Sequence, residues 1–439
     1  MSVQELNIKI LDGPSIVAPR PALVADFSYQ ALSSRPPAPV SEDFINALEA
    51  VLDELAKRPA LKNKYSNHAE LVAEVTAGLI SLNAPVTLQG YCQLSGQERV
   101  TITLEYFFAH LAAVVLQCAI NIVSIMLSGR SDKRQLLNQQ LDVLQRNMRI
   151  YDPGWNNISM MASAAKLDIP FFSADEGVRF YCYGQGAKSR LFYESSSDLD
   201  SAIGRIVSVN KASTVQMLTS MGYPVPRQAI VLAREQLGSV VKQLGYPLVV
   251  KPVTGSKGEG VTSNIWSEAD LLRAFEHANE QAPGRVVIEK HIEGFDHRLT
   301  VASGQLVGAN LKKLPMVTGD GIHTIGQLIS RENESRPAEL KRQGLIKDIV
   351  VDEITTGVLN AQSMTLASIP EKGRIVRLRT NANLATGGSI EAVLDRVHPD
   401  NARMAIDIAR NLRLDVIGID FITTDIARPW REEGAVIEV

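Results

Sequence analysis

A lysine at the end of an apolar strand, followed at once by a glycine-rich loop, is the first place where this sequence could do chemistry. The run PLVVKPVTGSKGEGV carries Lys251 and then Gly255, Gly258 and Gly260. Glycines let a backbone approach a polyanion with its N–H groups forward, and a lysine beside them adds a point charge. The pattern suits a polyphosphate. It is neither a Walker loop nor a Rossmann turn, because no helix of the required spacing follows, and a plain hairpin loop explains this stretch alone equally well. Order adds weight: Lys211 opens a helix ending in GYPVP, and VVIEKHIEGFDHR sets Glu289 at a strand end with Asp296 just beyond. Far downstream, Asp420 in VIGIDFI and Glu438 in VIEV are acids inside apolar strands. A half-buried carboxylate is costly unless it meets a partner or a cation.

The elements that must position these groups read clearly from Ser208 onward. A helix KASTVQMLTSMG leads to the strand AIVLA, a second helix REQLGSVVKQLG, and the strand PLVVKPV. SEADLLRAFEHANEQ forms a helix, RVVIEKHI a strand, and HRLTVASGQLVGANLKK alternates like a hairpin turning at Ser303-Gly304. Mixed helices and strands in this order imply an α+β unit with antiparallel sheet.

Upstream, LNIKIL reads as a strand, and Ser41 caps a helix EDFINALEAVLDEL whose apolar residues recur at i, i+3, i+4, i+7. A helix is expected from His68 to Leu82. The apolar stretch from Leu111 to Leu127 approaches membrane-spanning length, but Gln117, Asn121 and Ser124 interrupt it, so a buried core helix is expected. Near Met148 the character changes to the turn-rich RIYDPGWNN, then a helix and aromatic strands RFYCYGQ and SRLFYES. A domain boundary is expected near 150.

The 439 residues carry a formal net charge of -3, which lends no support to nucleic-acid or membrane-surface binding. Cys92, Cys118 and Cys182 are too scattered for a disulfide framework or zinc knuckle and read as buried thiols. The start, MSVQELNIKIL, lacks the pattern of a signal peptide, so a cytoplasmic protein is expected.

Several motifs in order over residues 206–439 resemble the ATP-grasp superfamily, and within it the ATP-grasp part of the cyanophycin synthetases. They are VVKPVTGSKGEGV, GFDHRLTV, TGDGIHTIGQLI, LRTNANLATGGS with VHPDN, and LDVIGIDFITTDI. GDGIHTIGQLI is also similar to the ATP-grasp half of bifunctional glutathione synthetases. The resemblance implies an ATP-grasp fold, two α+β subdomains clamping ATP, preceded by a separate mixed α/β domain. The implied division is 1–150 for that N-terminal domain and 151–439 for the rest. The latter comprises a preceding region 151–205, the ATP lid 206–295 and a catalytic part 296–439.

Residue by residue, the resemblance makes Lys211 and Lys251 the phosphate lysines, and Gly255, Ser256, Gly258 and Gly260 the flap over the phosphates. Glu289, Lys290 and Ile292 fall at the adenine hinge, and Asp296 at the ribose. Arg298 and Asn383 match catalytic positions near the transferred phosphate. Asp420 and Glu438 match ligands of Mg2+. The implied reaction activates a carboxylate as an acyl phosphate using ATP and lets an amine displace phosphate, the substrates being an amino acid, aspartate by likeness, and a peptide or polymer acceptor. A glutathione-type ligase and a non-catalytic ATP-binding module are the alternatives. A homo-oligomer is expected. Plainer readings stand beside these: His291 and His323 as structural, Asn383 with Gly387-Gly388 as a tight turn, and Arg377 and Arg379 as a solvated strand face.

Two departures are visible. The N-terminal His-x-x-Glu-His element of the cyanophycin synthetases is reduced here to His110 in Tyr106-Phe107-Phe108-Ala109-His110, so no zinc or peptidase activity is expected. The resemblance also implies an asparagine two residues after Glu438, beyond Val439, and a further Mur-ligase-like domain. A fragment of a longer ligase is the expectation.

Overall fold

The computed structural model describes residues 6–439 apart from 12–14, 19, 34, 56–60, 63, 83, 85–86, 175–179, 254–259, 343–345, 380–381 and 383. It contains two compact units, Met1–Asp198 and Leu199–Val439.

The first unit is built on a four-stranded antiparallel sheet in which Ala22–Ser28 and Arg99–Glu105 are central, flanked by Asn7–Leu11 and Gly90–Ser95. Ser41 caps the helix Glu42–Leu52 by accepting from the Phe44 N–H at 3.3 Å, and Ile45, Leu48 and Leu52 are its buried stripe. The helix Ala109–Leu127 is long and apolar enough to cross a membrane, yet half of it is buried, with Leu111, Val115, Ala119 and Ile122 in the core. It is a core helix of this unit. The amphipathic helix Lys133–Ile150 went unread in the sequence and buries Leu137, Leu141 and Leu144 against the same core.

The boundary expected near 150 is corrected by this packing. Met161, Ala164, Tyr181 and Tyr183 belong to the same core cluster as Leu23 and Ile102, so the unit continues through a second small sheet and ends at Asp198. The cysteines differ from expectation as well. Cys118 is buried, while Cys92 and Cys182 are half-buried. Burial pushes the Cys92 and Cys118 thiols up to about 11, which leaves both protonated and unreactive at neutral pH.

Among the described residues, all strand pairings in the second unit are antiparallel, as the α+β reading requires. One sheet runs Thr262–Ile265, Leu248–Pro252, Val286–Lys290, Gln228–Val231, and the helices Leu237–Leu244 and Glu268–Gln281 cover it. A five-stranded sheet follows: Ser389–Ala392, Gln305–Lys313, Phe295–Ala302, Val416–Thr423 and Ala435–Glu438. Its hairpin turns where expected, with Ser303 and Gly304 both at positive φ (48° and 72°). Residues 297, 299, 301, 417, 419 and 421 point to the core under the helix Pro399–Leu412, so by the two-residue period 296, 298, 300, 418 and 420 share the opposite face. Gly294, at φ 138°, delivers the chain into this sheet so tightly that a Cβ there would lie 2.6 Å from the Thr423 carbonyl carbon.

A third cluster, Val317, Ile325, Ile329, Leu359 and Val376, holds the segment containing GDGIHTIGQLI. Its opening turn is fixed by Asp320, whose carboxylate accepts from the His323 N–H (2.8 Å) and Ile322 N–H (2.9 Å) and faces His323 Nδ1 at 2.6 Å. The His323 backbone bond foremost, then its ring, hold the Asp320 carboxyl well below the usual carboxylate range. A depressed folded pKa contributes stability above the unfolded value, about 4, and loses it as pH falls through the folded one. Asp320→Asn is therefore expected to lower the melting temperature at neutral pH by an amount that shrinks below about pH 4. Thermal melts from pH 7 to pH 2 check this; a gap constant across that range would refute it.

Candidate active site

Four residues singled out in the sequence meet on the polar face of the five-stranded sheet. Register alone sets Arg298 opposite Asp420, and Asp420 opposite Glu438, across three neighbouring strands. Arg298 Nη1 donates to Asp420 Oδ1 at 2.9 Å. Asp296 lies on the same face, one pleat earlier. Lys312 completes the group from the adjoining strand, its Nζ 2.8 Å from Asp420 Oδ2 and 3.1 Å from Asp296 Oδ2. Burial pulls the Lys312 ammonium down, but the Asp420 and Asp296 carboxylates outweigh it and hold its pKa above the usual lysine value. Burial pushes the Asp296 carboxyl up, with Lys312 opposing and Asp420 adding to the rise. Asp296 Oδ1 is buried without a hydrogen-bond partner, an acceptor awaiting a donor.

A second pair of cations reaches the last strand from elsewhere. Lys211, the first residue of the helix Lys211–Ser220 under an Asn210 cap, places Nζ 3.4 Å from Glu438 Oε1. Lys251 Nζ lies 2.7 Å from Glu289 Oε1 and 3.5 Å from the Ile437 carbonyl. Lys251 and Glu289 stand on neighbouring antiparallel strands, Lys251 being opposite Val287, so the pair is the diagonal one on a shared face. Both side chains are buried, 7% and 4% exposed.

The residues expected at the adenine hinge behave less simply. Glu289 faces Lys251 and not an edge, so its side chain serves charge balance. The Lys290 N–H already donates to the Arg227 carbonyl, and its ammonium bonds the carbonyls of Tyr246 (2.5 Å) and Gly245 (3.3 Å). Ile292 is half-buried just past the strand end, and Gly260 is buried against Pro252. Gly255, Ser256, Gly258 and Asn383 lie outside the described residues. Gly387, four residues further along the chain and at φ 98°, has its Cα pressed so close to Ile349 that a Cβ would stand 2.5 Å from Ile349 Cα. Arg336, almost fully buried, donates to the Gly387 carbonyl at 2.7 Å and holds that turn. Arg377 is solvated as expected, but Arg379 is not: it is 4% exposed and donates to Asp352 Oδ2 at 2.6 Å, because the strand end turns it under the helix Glu353–Ala361.

Lys312 was missed in the sequence, where the hairpin turn gives its neighbourhood but not its register. The hairpin turning at Ser303-Gly304 pairs Ala302 with Gln305, and a register shift between Thr300 and Val301 then pairs His297 with Leu311, which brings position 312 beside Asp296.

The arrangement suits a magnesium–polyphosphate ligand. Among the described residues no group of three or more His, Cys, Asp or Glu could hold a metal. Asp420 and Glu438 supply two hard oxygen ligands side by side, and magnesium characteristically takes one or two carboxylates and completes its shell with water and phosphate oxygens. The lysines and Arg298 around them fit the remaining anionic charge.

A model of the ATP-grasp domain matches residues 216–342. The cyanophycin synthetase of Crocosphaera subtropica is 34% identical over 308 residues, covering 69% of this chain and 35% of that protein. The cyanophycin synthetase of Trichormus variabilis is 30% identical over 344 residues, covering 77% and 38%. The bifunctional glutathione biosynthesis protein GshAB of Mannheimia succiniciproducens is 29% identical over 234 residues, covering 52% and 31%. Among solved structures, a bifunctional glutathione synthetase from Pasteurella multocida aligns with a TM-score of 0.47 at 23% identity, over 74% of this chain and 45% of that one. The chain thus spans well under half the length of the curated relatives it matches. The domain model takes in the strands that carry Lys251, Asp296 and Arg298, so the chain contains an ATP-grasp domain and is similar to the cyanophycin synthetases.

Proposed function

We propose that this chain is an ATP-dependent carboxylate–amine ligase of the cyanophycin-synthetase type, joining an amino acid such as aspartate to the carboxylate of a peptide or polymer. One observation carries the reading: Lys211 and Lys251, from separate elements, end on neighbouring residues of the last strand, and that strand's Glu438 is the cross-strand partner of Asp420. A polyphosphate lying there meets cations on one side and carboxylates able to hold Mg2+ on the other.

The chemistry follows from the charges. A carboxylate is a poor electrophile, so its oxygen takes the γ-phosphoryl group of ATP, releasing ADP. The amine then bonds to the acyl carbon, loses a proton, and inorganic phosphate leaves. Bound Mg2+ would supply charge neutralisation between phosphate oxygens. Lys211 and Lys251 hold phosphates, the orphaned Asp296 Oδ1 accepts from a ribose hydroxyl, and Arg298 steadies the transferred group. No nucleophilic side chain is required, since bringing two anions together in register is the main task.

The likeness to GshAB favours a glutathione-type ligase as second reading. Phosphate release separates the possibilities. With ATP, Mg2+, aspartate and a short acidic peptide, release is expected only when both acceptor and amine are present, with one phosphate per amide. Turnover confined to glutathione precursors would select the second reading. ATP binding with no release in any mixture would sink both and leave a nucleotide-binding module.

A further inference from the structure

The strand Val416–Thr423 contains a glycine that its backbone does not require. Gly418 has no positive φ, and glycine inside a strand sacrifices both conformational entropy and packing. Its place on the polar face supplies the reason. A Cβ built on Gly418 would stand 2.1 Å from Cζ, Nε and Nη2 of Arg298 alike, so the guanidinium lies flat on the glycine Cα. Arg298 stands on the neighbouring strand one pleat away, opposite Asp420, while Thr300 is the residue opposite Gly418. The arginine therefore leans diagonally across the empty position, and from there Nη1 reaches Asp420 Oδ1 at 2.9 Å.

We propose that Gly418 is a positioning residue: the absence of a side chain at 418 is the seat that fixes the Arg298 guanidinium against Asp420. The consequence for turnover rests on the ligase reading above, but the seat itself does not. The collision partner is the tip of a flexible side chain. Any residue larger than glycine at 418 is therefore accommodated by expelling the guanidinium, with the sheet intact. Gly294 contrasts with this, since an added Cβ there meets backbone. Gly308 offers a control on the same sheet: a Cβ there meets nothing closer than Thr300 Cβ at 3.7 Å.

The test compares Gly418→Ala, Gly308→Ala, Arg298→Ala and the double variant Arg298→Ala/Gly418→Ala in the full chain. Crystal structures under one condition read the guanidinium position, and phosphate release with ATP, aspartate and acidic peptide reads function. Gly418→Ala is expected to melt at or above the wild-type temperature, with the guanidinium displaced from Asp420. Its turnover is expected to fall on the order of 10- to 100-fold, as an ångström-scale misplacement does. The double variant should be no slower than Arg298→Ala, and Gly308→Ala should be unchanged in both readouts. A guanidinium still on Asp420 in Gly418→Ala overturns the proposal, as does a displaced one with full turnover. A wild-type chain that releases no phosphate, with the guanidinium expelled in Gly418→Ala, upholds the seat and removes the ligase reading instead.

Discussion

Asp420→Asn is expected to reduce ATP-dependent turnover by on the order of 10²–10³-fold, the range for losing one preorganised charge at a reacting centre. Asp420 sits where every charged element of the polar face converges. It is cross-strand from both Arg298 and Glu438, accepts from Arg298 at 2.9 Å, and lies 2.8 Å from Lys312. The asparagine keeps the shape and one carbonyl acceptor but removes the negative charge. Two cations then face each other, and one of the two carboxylates available to magnesium is gone. Stability should fall far less than rate. Arg298 and Lys312 are 43% and 22% exposed, so water screens them once released, and a cost of about 1–2 kcal/mol is expected. Steady-state phosphate release and thermal melts read the two effects. Turnover within twofold of wild type would remove Asp420 from the reaction centre and with it the magnesium reading.

How much of this was legible beforehand depended on distance along the chain. The cap at Ser41, the hairpin turn at Ser303-Gly304 and the lysine strand before the glycine loop are local, and local patterns of capping, turn chemistry and period state them directly. The hairpin turn brings the stretch around Lys312 near Asp296 and that much could have been read, but the register shift between Thr300 and Val301 that sets 312 beside 296 is not stated by the turn. The Lys251–Glu289 pair could not, because a helix intervenes and the offset between Leu248–Pro252 and Val286–Lys290 is set by packing, not by a turn. Gly418 is a stronger case. Its role exists only because Val416–Thr423 pairs with Phe295–Ala302 across more than a hundred intervening residues. Arg379 misled for a related reason: a strand's alternation places its neighbours, but the helix that covers its end is not written in the strand. The unit boundary failed because the turn-rich RIYDPGWNN marks a corner within one core, and turns do not reveal which side their apolar residues pack on.

Lys251 pairs with Glu289 and is also proposed to hold a phosphate, and a single substitution confounds the two. Its ammonium faces Glu289 at 2.7 Å with both side chains almost wholly buried, and it also reaches the strand of Glu438. Lys251→Met leaves a carboxylate buried without its cation, a change that costs about 3–5 kcal/mol in comparable sites. The variant is therefore expected to lose much of its stability, and any loss of ATP affinity would be hidden beneath unfolding. Replacing both members, as Lys251→Met/Glu289→Leu, changes the balance. Two apolar side chains of similar volume in place of a desolvated pair are neutral or stabilising in such cores, so the double variant should melt near the wild-type temperature. What it cannot recover is the charge proposed to face the nucleotide. A charge-assisted hydrogen bond contributes about 1.5–3 kcal/mol, so ATP should bind about 10- to 100-fold more weakly to a protein that is otherwise sound. Calorimetric titration with a non-hydrolysable ATP analogue, beside a melting curve for each variant, separates the two roles. A stable double variant that binds the analogue as tightly as wild type would make Lys251 a purely structural partner of Glu289. The phosphate contact would then rest on Lys211, at the edge of the same strand.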